Sequence, residues 1–243
     1  MNNHNERILW LIAARSGSKG IPNKNIKFLD DMPLLAYKIK TALSISSSDN
    51  IWISTDSEEY AELAQKYGAS VPFIRPDELA SDNASSMDVV LHAMKFAESH
   101  NKKYDFIGLL EPTSPFVYFE DIRSAVKKLV ENDMAEAIVA VKESRPNTIF
   151  IQEESEFLDD ICKKMNKASS LGRHNFKKEI TPSGGFYISK WNAFLENKTF
   201  YTEKTMPYLL PDESTLEIDE AIDFDWAEFL TKTNKIDRKK LYL

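Results

Sequence analysis

The sequence predicts an α/β protein whose mainly parallel sheet is flanked by helices. Short apolar runs alternate with segments in which apolar residues recur at helical spacing, the signature of strand–helix units. The size agrees: 243 residues, 42% apolar and 11% aromatic, supply one sizeable core.

Taken in order, Ile8 to Ala13 reads as a buried strand, and Leu35, Ile39, Ala42 and Leu43 fall on one helical stripe behind it. Ile51 to Ser54 is the next strand, followed by a helix bearing Tyr60, Leu63, Ala64 and Tyr67 and a strand at Val71 to Ile74. Met87, Val90, Leu91 and Met94 mark another helix ahead of a strand at Phe106 to Leu110. Ile122, Ala125, Val126, Leu129 and Val130 give a strong fourth helix before the β-branched strand Ala137 to Val141. From 142 to 180 the rhythm breaks into dense charge, so this stretch reads as an insertion within a single domain spanning 1–243. Gly185 to Ser189 returns to strand, Leu216 to Asp219 is a short strand, and Ile222, Trp226, Phe229 and Leu230 set the apolar stripe of a closing helix.

Charge narrows the function. A net charge of -7 offers no basic excess for a nucleic-acid polymer or an anionic membrane, so anions must meet a local basic patch. The single cysteine, Cys162, excludes an internal disulfide and a thiolate metal cluster, and points to a reducing compartment, by default the cytoplasm. The apolar run Ile8 to Ala14 is too short and too closely followed by Arg15 and Lys19 to read as a secretory signal. The four histidines show no paired spacing and no serine sits in a Gly-x-Ser-x-Gly elbow, so hydrolase readings lack support.

The basic patch lies in AARSGSKGIPNKNIK, residues 13–27, between the first strand and the first helix. Such a loop leaves the carboxyl end of the first strand, where open α/β sheets bind ligands, and Gly17 and Gly20 would let backbone N–H groups approach oxyanions. Arg15, Lys19, Lys24 and Lys27 supply charge. Neither a Walker loop nor a dinucleotide fingerprint is present. Farther on, Glu217 and Asp219 are two apart, so on a strand both carboxylates would share one face while Ile218 enters the core. Oxygen ligands without a nearby His or Cys favour Mg²⁺. Asp223 and Asp225 are explained by a helix start.

Residues 13–27 resemble the signature of the CMP-sialic acid and CMP-Kdo synthetase family of sugar cytidylyltransferases. RPDELASDNASS (75–86), LLEPTSPF (109–116), the Gly-Gly-aromatic-Tyr-Ile strand at Gly184 to Ile188 and LEIDEAIDF (216–224) resemble later blocks of that family in the same order. ASDNASS resembles the acylneuraminate branch. The resemblance implies a Rossmann-like fold whose insertion is a dimerisation arm reaching the neighbour's sugar site, and hence a homodimer. It implies transfer of CMP from CTP to the anomeric hydroxyl of a nine-carbon acidic sugar, with Mg²⁺ as cofactor and pyrophosphate released.

Residue by residue, the resemblance implies that Arg15, Ser18, Lys19 and Lys24 grip the triphosphate, with Asn25 near the nucleoside and Arg75, Ala84 and Ser86 around the cytosine. Glu111, at a position often glutamine in the family, and Arg173 are the candidate sugar contacts. Glu217 and Asp219 are the candidate metal ligands, although the family usually has two aspartates there. Arg15, Lys24 and Asp219 are the candidate catalytic residues. Thr181 and Ser183 stand where the synthetases commonly carry arginine and asparagine, which leaves a legionaminic, pseudaminic or Kdo-type sugar as an alternative substrate. A protein that binds CTP or a CMP-sugar without turnover is the other alternative.

Overall fold

A computed structural model describes residues 7–18, 20–81, 84–144 and 179–242. Its centre is a six-stranded sheet in the order β4-β1-β5-β7-β6-β8. The strands are β1 (Ile8–Ala13), β4 (Ile51–Ser54), β5 (Phe106–Leu110), β6 (Ala137–Glu143), β7 (Ile180–Lys190) and β8 (Thr205–Leu209). A two-stranded ribbon pairs β2 (Phe28–Leu29) with β3 (Met32–Pro33). In the main sheet β1 runs parallel to β4 and β5, and β6 parallel to β8, whereas β7 is antiparallel to both β5 and β6. The expected mainly parallel α/β architecture is therefore present, with one reversed strand.

Alternation along the strands explains why helices cover both faces. On β1, Ile8, Trp10 and Ile12 face one core and Leu9 and Leu11 the other; β6 divides Ile138 and Ala140 from Val139 and Val141 in the same way. The first core is closed by α1 (Leu34–Leu43), α2 (Glu58–Lys66) and α4 (Phe119–Val130), the second by α3 (Ser86–Ser99) and α5 (Trp191–Asn197). A third core packs Leu34, Ala36 and Tyr37 of α1 against α6 (Ala221–Lys232) and α7 (Arg238–Leu241) through Phe224, Ala227 and Leu241. Helix α1 is thus buried on nearly every side.

Three sequence expectations are corrected. Val71–Ile74 is not a strand: only Ser70 bridges Trp52, because Pro72 has no N–H to extend the ladder beside β4. Leu216–Asp219 is likewise irregular; it joins no ladder, and its Ile218 N–H donates to the Thr113 carbonyl beyond the end of β5 at 2.8 Å. On α6 three of the four residues of the expected apolar stripe face outward, while Leu230 packs against the third core. Ile222, Trp226 and Phe229 are 69%, 50% and 47% exposed, while Phe224, Ala227 and Thr231 face the core. Periodicity located that helix, but its burial was decided by the neighbour it packs against. Leu43 also lies at the surface end of its stripe, against Gly68.

The expected excursion is narrower at its base than 142–180. Glu143 pairs with Ile180, and the Ser144 N–H donates to the Glu179 carbonyl at 2.8 Å, so the antiparallel pair β6–β7 continues to that point. The proposed arm and Arg173, together with Lys19, lie outside the described residues.

Candidate active site

The chain passes from β1 through α1 to β4 on one side, and from β4 through α3 to β5 on the other. Strand order reverses between β1 and β5, the switch point at whose carboxyl edge open α/β sheets place their ligands. A cleft of about 310 Å³ lies there. The β1–α1 loop contributes Ala13, Arg15, Ser18, Gly20, Lys24 and Asn25; β5 contributes Glu111, Pro112 and Thr113 from its exit; Arg75, Ala84 and Ser86 close the third side. Every described residue of the expected nucleotide group, and Glu111 of the sugar group, therefore lines one cleft.

The β1–α1 loop is held by named bonds. Asp56 accepts from the Ser16 N–H at 2.9 Å and from the Ser16 hydroxyl at 2.7 Å. Partial burial pushes the Asp56 carboxyl up, but these two donors, with Arg75 nearby, outweigh burial and hold it below its ordinary value. Asn25 is buried and donates from Nδ2 to the Arg15 carbonyl at 3.1 Å, so part of its role is to shape the loop. The turn Lys24–Ile26 follows Asn23, whose φ of 53° lies in the left-handed region that asparagine tolerates. Lys27 does not join the cleft. Its ammonium sits 4.1 Å from the Phe224 ring centroid, a cation–π contact that ties the loop to α6.

Arg75 is 4% exposed. Its Nε donates to the Ser54 hydroxyl at 2.9 Å and its Nη2 to the Ser54 carbonyl, while its own N–H reaches the Thr55 carbonyl at 2.7 Å. Burial lowers the guanidinium to about 10 and Asp56 opposes that shift, leaving a cation at neutral pH. The β4 terminus thus fixes this cation against the cleft wall. Opposite it, α3 begins at Ser86 with Ser85 as its cap, accepting from the Asp88 N–H at 3.1 Å, so the positive end of the helix faces the same space.

The acidic segment is arranged differently from a two-carboxylate strand. Lys24 donates to the Ile218 carbonyl at 2.7 Å and to Asp219 Oδ1 at 3.1 Å. Glu217 is instead paired with Lys142 of β6 at 2.6 Å. Ile218 enters the core as expected. Asp223 accepts from the Asp219 and Glu220 N–H groups at 3.0 and 2.8 Å, completing the capping box of α6 and pinning the segment. Among the described residues no group of three or more His, Cys, Asp or Glu side chains is arranged to hold a metal. A hard cation that takes most of its ligands from phosphate and water requires only one or two carboxylates. Asp219, paired with Lys24 of the cleft but 74% exposed, keeps carboxylate surface open for that role; Glu217, 30% exposed, is engaged by Lys142.

Two lysines escaped the sequence reading. Lys142 sits beside Glu217 at the base of the β6–β7 pair, and Lys38 of α1 is fully buried beneath the cleft. Both stand in strand- or helix-period positions where nothing local marks a function. Thr181 pairs with Lys142 on the ladder, and Ser183 is buried.

A family model described as cytidylyltransferase matches residues 9–236. The chain belongs to the cytidylyltransferase family. It is 35% identical over 98% of its length to an N-acylneuraminate cytidylyltransferase of Escherichia coli, of which it spans 54%. It is 32% identical over 93% of its length to a pseudaminic acid cytidylyltransferase of Campylobacter jejuni, of which it spans 97%. The fold is shared with a CMP:2-keto-3-deoxy-manno-octonic acid synthetase solved with CTP, at a TM-score of 0.64 and 13% identity, covering 94% of this chain and 100% of that one. The cytidylyltransferase resemblance read from the five ordered blocks thus holds across the chain. No helix among the described residues is long and apolar enough to cross a membrane.

Proposed function

We propose that this cytidylyltransferase moves CMP from CTP to the anomeric hydroxyl of a nine-carbon acidic sugar of the N-acylneuraminate type. One observation carries the reading: the cations, hydroxyls and amides expected to hold CTP converge on one cleft at the switch point of a cytidylyltransferase fold. Arg15, Lys19, Lys24 and Ser18 bind the triphosphate, and Arg75 with Ala84 and Ser86 surrounds the base. Polar groups shaped to a base edge reject other bases because a wrong base leaves buried donors unpaired. The sugar lies on the Glu111 side, and Arg173, which lies outside the described residues, is proposed as the bidentate partner of its carboxylate.

In the reaction the anomeric oxygen attacks the α-phosphorus in line, its proton passes to a base, and the bond to the β-phosphate oxygen breaks to release pyrophosphate. Asp219 is a candidate for that base. Charge grows on the α-phosphate oxygens during attack, where Arg15 and Lys24 meet it with preorganised cations. Asp219 would hold Mg²⁺, which would supply positive charge where the departing pyrophosphate gains negative charge. The protein is expected to act as a cytoplasmic homodimer through the segment at 142–180.

Pseudaminic, legionaminic and Kdo-type acids are the alternative acceptors; the 32% identity to a pseudaminic acid enzyme over 97% of that protein favours keeping the first. Pyrophosphate release measured with CTP across a panel of these acids tests the reading. Fastest turnover with an N-acylneuraminate is expected, and turnover with Kdo alone would refute it. No CMP-sugar with any acid, despite CTP binding, would identify a nucleotide-binding protein without transferase activity. For the metal, Asp219→Asn is expected to raise the Mg²⁺ concentration needed for half-maximal rate by about tenfold, as loss of one partner of a charged contact costs more than about 1 kcal/mol. An unchanged Mg²⁺ titration would remove Asp219 from the metal site.

A further inference from the structure

Strand β7 does not pass evenly through the sheet. Its register on β6 pairs Val139 with Tyr187 and Val141 with Pro182, so the four residues Ser183 to Phe186 stand opposite Ala140 alone, and its ladder with β5 ends at Leu109 and Tyr187. This bulge is squeezed from two sides. A Cβ at Gly185 would lie 2.8 Å from Leu210 Cδ1 and 3.0 Å from Val117 Cγ2, both of the first core. A Cβ at Gly184 would lie 2.9 Å from Ser114 Oγ and 3.1 Å from Glu217 Oε2. Ser114 closes the turn that leaves β5, where its N–H donates to the Glu111 carbonyl at 3.2 Å, and Glu111, Pro112 and Thr113 of that turn line the cleft. The bulge therefore backs the cleft wall through a residue with no side chain.

Lys38 reaches this bulge from α1. Among the described residues it is the only lysine in the buried class, at 0% exposure, and its Nζ donates to the Gly185 carbonyl at 3.1 Å. Backbone that leaves its ladder inside a core needs another partner, and the long lysine stem delivers one. No other side chain among the described residues bonds the backbone of 183–186. The hydroxyls of Ser114 and Ser183 beside Gly184 are buried without partners, so neither fixes the bulge. Helix α1 is itself buried along most of its length, which makes it a rigid anchor for the bond.

We propose that Lys38 is a positioning residue for the acceptor side of the cleft: its bond to the Gly185 carbonyl fixes the β7 bulge, and Gly184 passes that position to the Glu111–Ser114 turn. The inference rests on the sugar-transfer reading, which seats the sugar on the Glu111 side, and deepens it. The nucleotide side is held by other bonds. Asp56 fixes Ser16 and Ser54 fixes Arg75, through contacts that involve neither α1 nor β7. Loss of the Lys38 bond is therefore felt by the sugar and not by CTP, whereas a merely structural lysine would lower stability and leave both KM values in place.

The test compares the full chain with Lys38→Met, which keeps an apolar stem and loses the donor, with Gly184→Ala and with the double variant, using CTP, Mg²⁺ and the best acid of the panel. Lys38→Met is expected to raise the KM for the sugar about tenfold, the worth of one hydrogen bond to the substrate, with the KM for CTP within about twofold. Gly184→Ala pushes on Ser114 directly and should give the same selective rise. In the double variant the rises should fall short of multiplying, because both act on one turn. Equal rises for CTP and sugar, no rise for the sugar, or rises that multiply overturn the proposal. Hydrogen exchange of the substrate-free chain gives a readout without turnover. Amides of 183–187 should exchange about tenfold faster in Lys38→Met, with those of β1 unchanged. Unchanged exchange at 183–187, or faster exchange throughout, also overturns it. If Lys38→Met does not fold, Lys38→Gln, whose amide keeps a donor on a shorter stem, takes its place under the same criteria, and its failure to fold assigns Lys38 to stability alone. Should the parent turn over no acid at all, the transfer reading fails while exchange still decides whether Lys38 fixes the bulge.

Discussion

Replacing Lys24 by alanine is expected to lower turnover about 100- to 1,000-fold, the usual cost of removing one preorganised donor from a developing oxyanion. The loss should appear mainly in kcat, because the charge that Lys24 meets is greatest in the transition state. The fold should survive. Lys24 is 12% exposed, and its bonds to the Ile218 carbonyl and Asp219 lie on a segment that is also held through the Ile218 N–H and by Asp223. Steady-state kinetics with saturating sugar, beside thermal unfolding, measures both. A near-normal rate would show that the β1–α1 loop does not hold the reacting phosphates.

Gly20→Ala is expected to be nearly as damaging without removing any functional group. A Cβ at Gly20 would lie 2.4 Å from the Asp219 carbonyl oxygen. Backbone cannot rotate away as a side chain does, and the Asp219 segment is pinned by Thr113 on one side and Asp223 on the other. Relief must come from separating the two loops that carry Lys24 and Asp219. A displacement near 1 Å of catalytic groups costs about 100-fold in rate, and overpacking of this kind costs about 1–3 kcal/mol. We expect kcat/KM for CTP to fall by about two powers of ten, with a lowered Tm. Unchanged kinetics would mean that the spacing of the loops is not constrained by catalysis. Gly17 provides the contrast, since a Cβ there meets nothing within 4 Å.

Much of the molecule was legible in order of residues. The strands Ile8–Ala13, Ile51–Ser54 and Phe106–Leu110 appear at the expected bounds, because apolar runs covered on both faces leave little choice of state. The basic loop was legible because glycine, serine and lysine interleave where a buried strand ends. Less was legible where packing decides. The stripe Ile222, Trp226 and Phe229 has helical period yet faces outward, and Leu216–Asp219 alternates like a strand but finds no ladder. Gly185–Ser189 was legible as a strand, but its reversed direction within β7 and the edge strand β8 were not, since direction and neighbour are set by connections across the sheet rather than by local pattern.

The sequence by itself determined the family, the α/β class and which groups are candidates to meet CTP, because those depend on residue types at short spacing. Only the tertiary structure decided which of them share a cleft. It brought Arg75 beside the β1–α1 loop and separated Glu217 from Asp219 onto two different lysines. It also buried Lys38 against the Gly185 carbonyl, 147 positions along the chain. The physical reason is that charge and hydrogen bonding act across space, and residues remote in the chain meet only once the sheet has set its strand order.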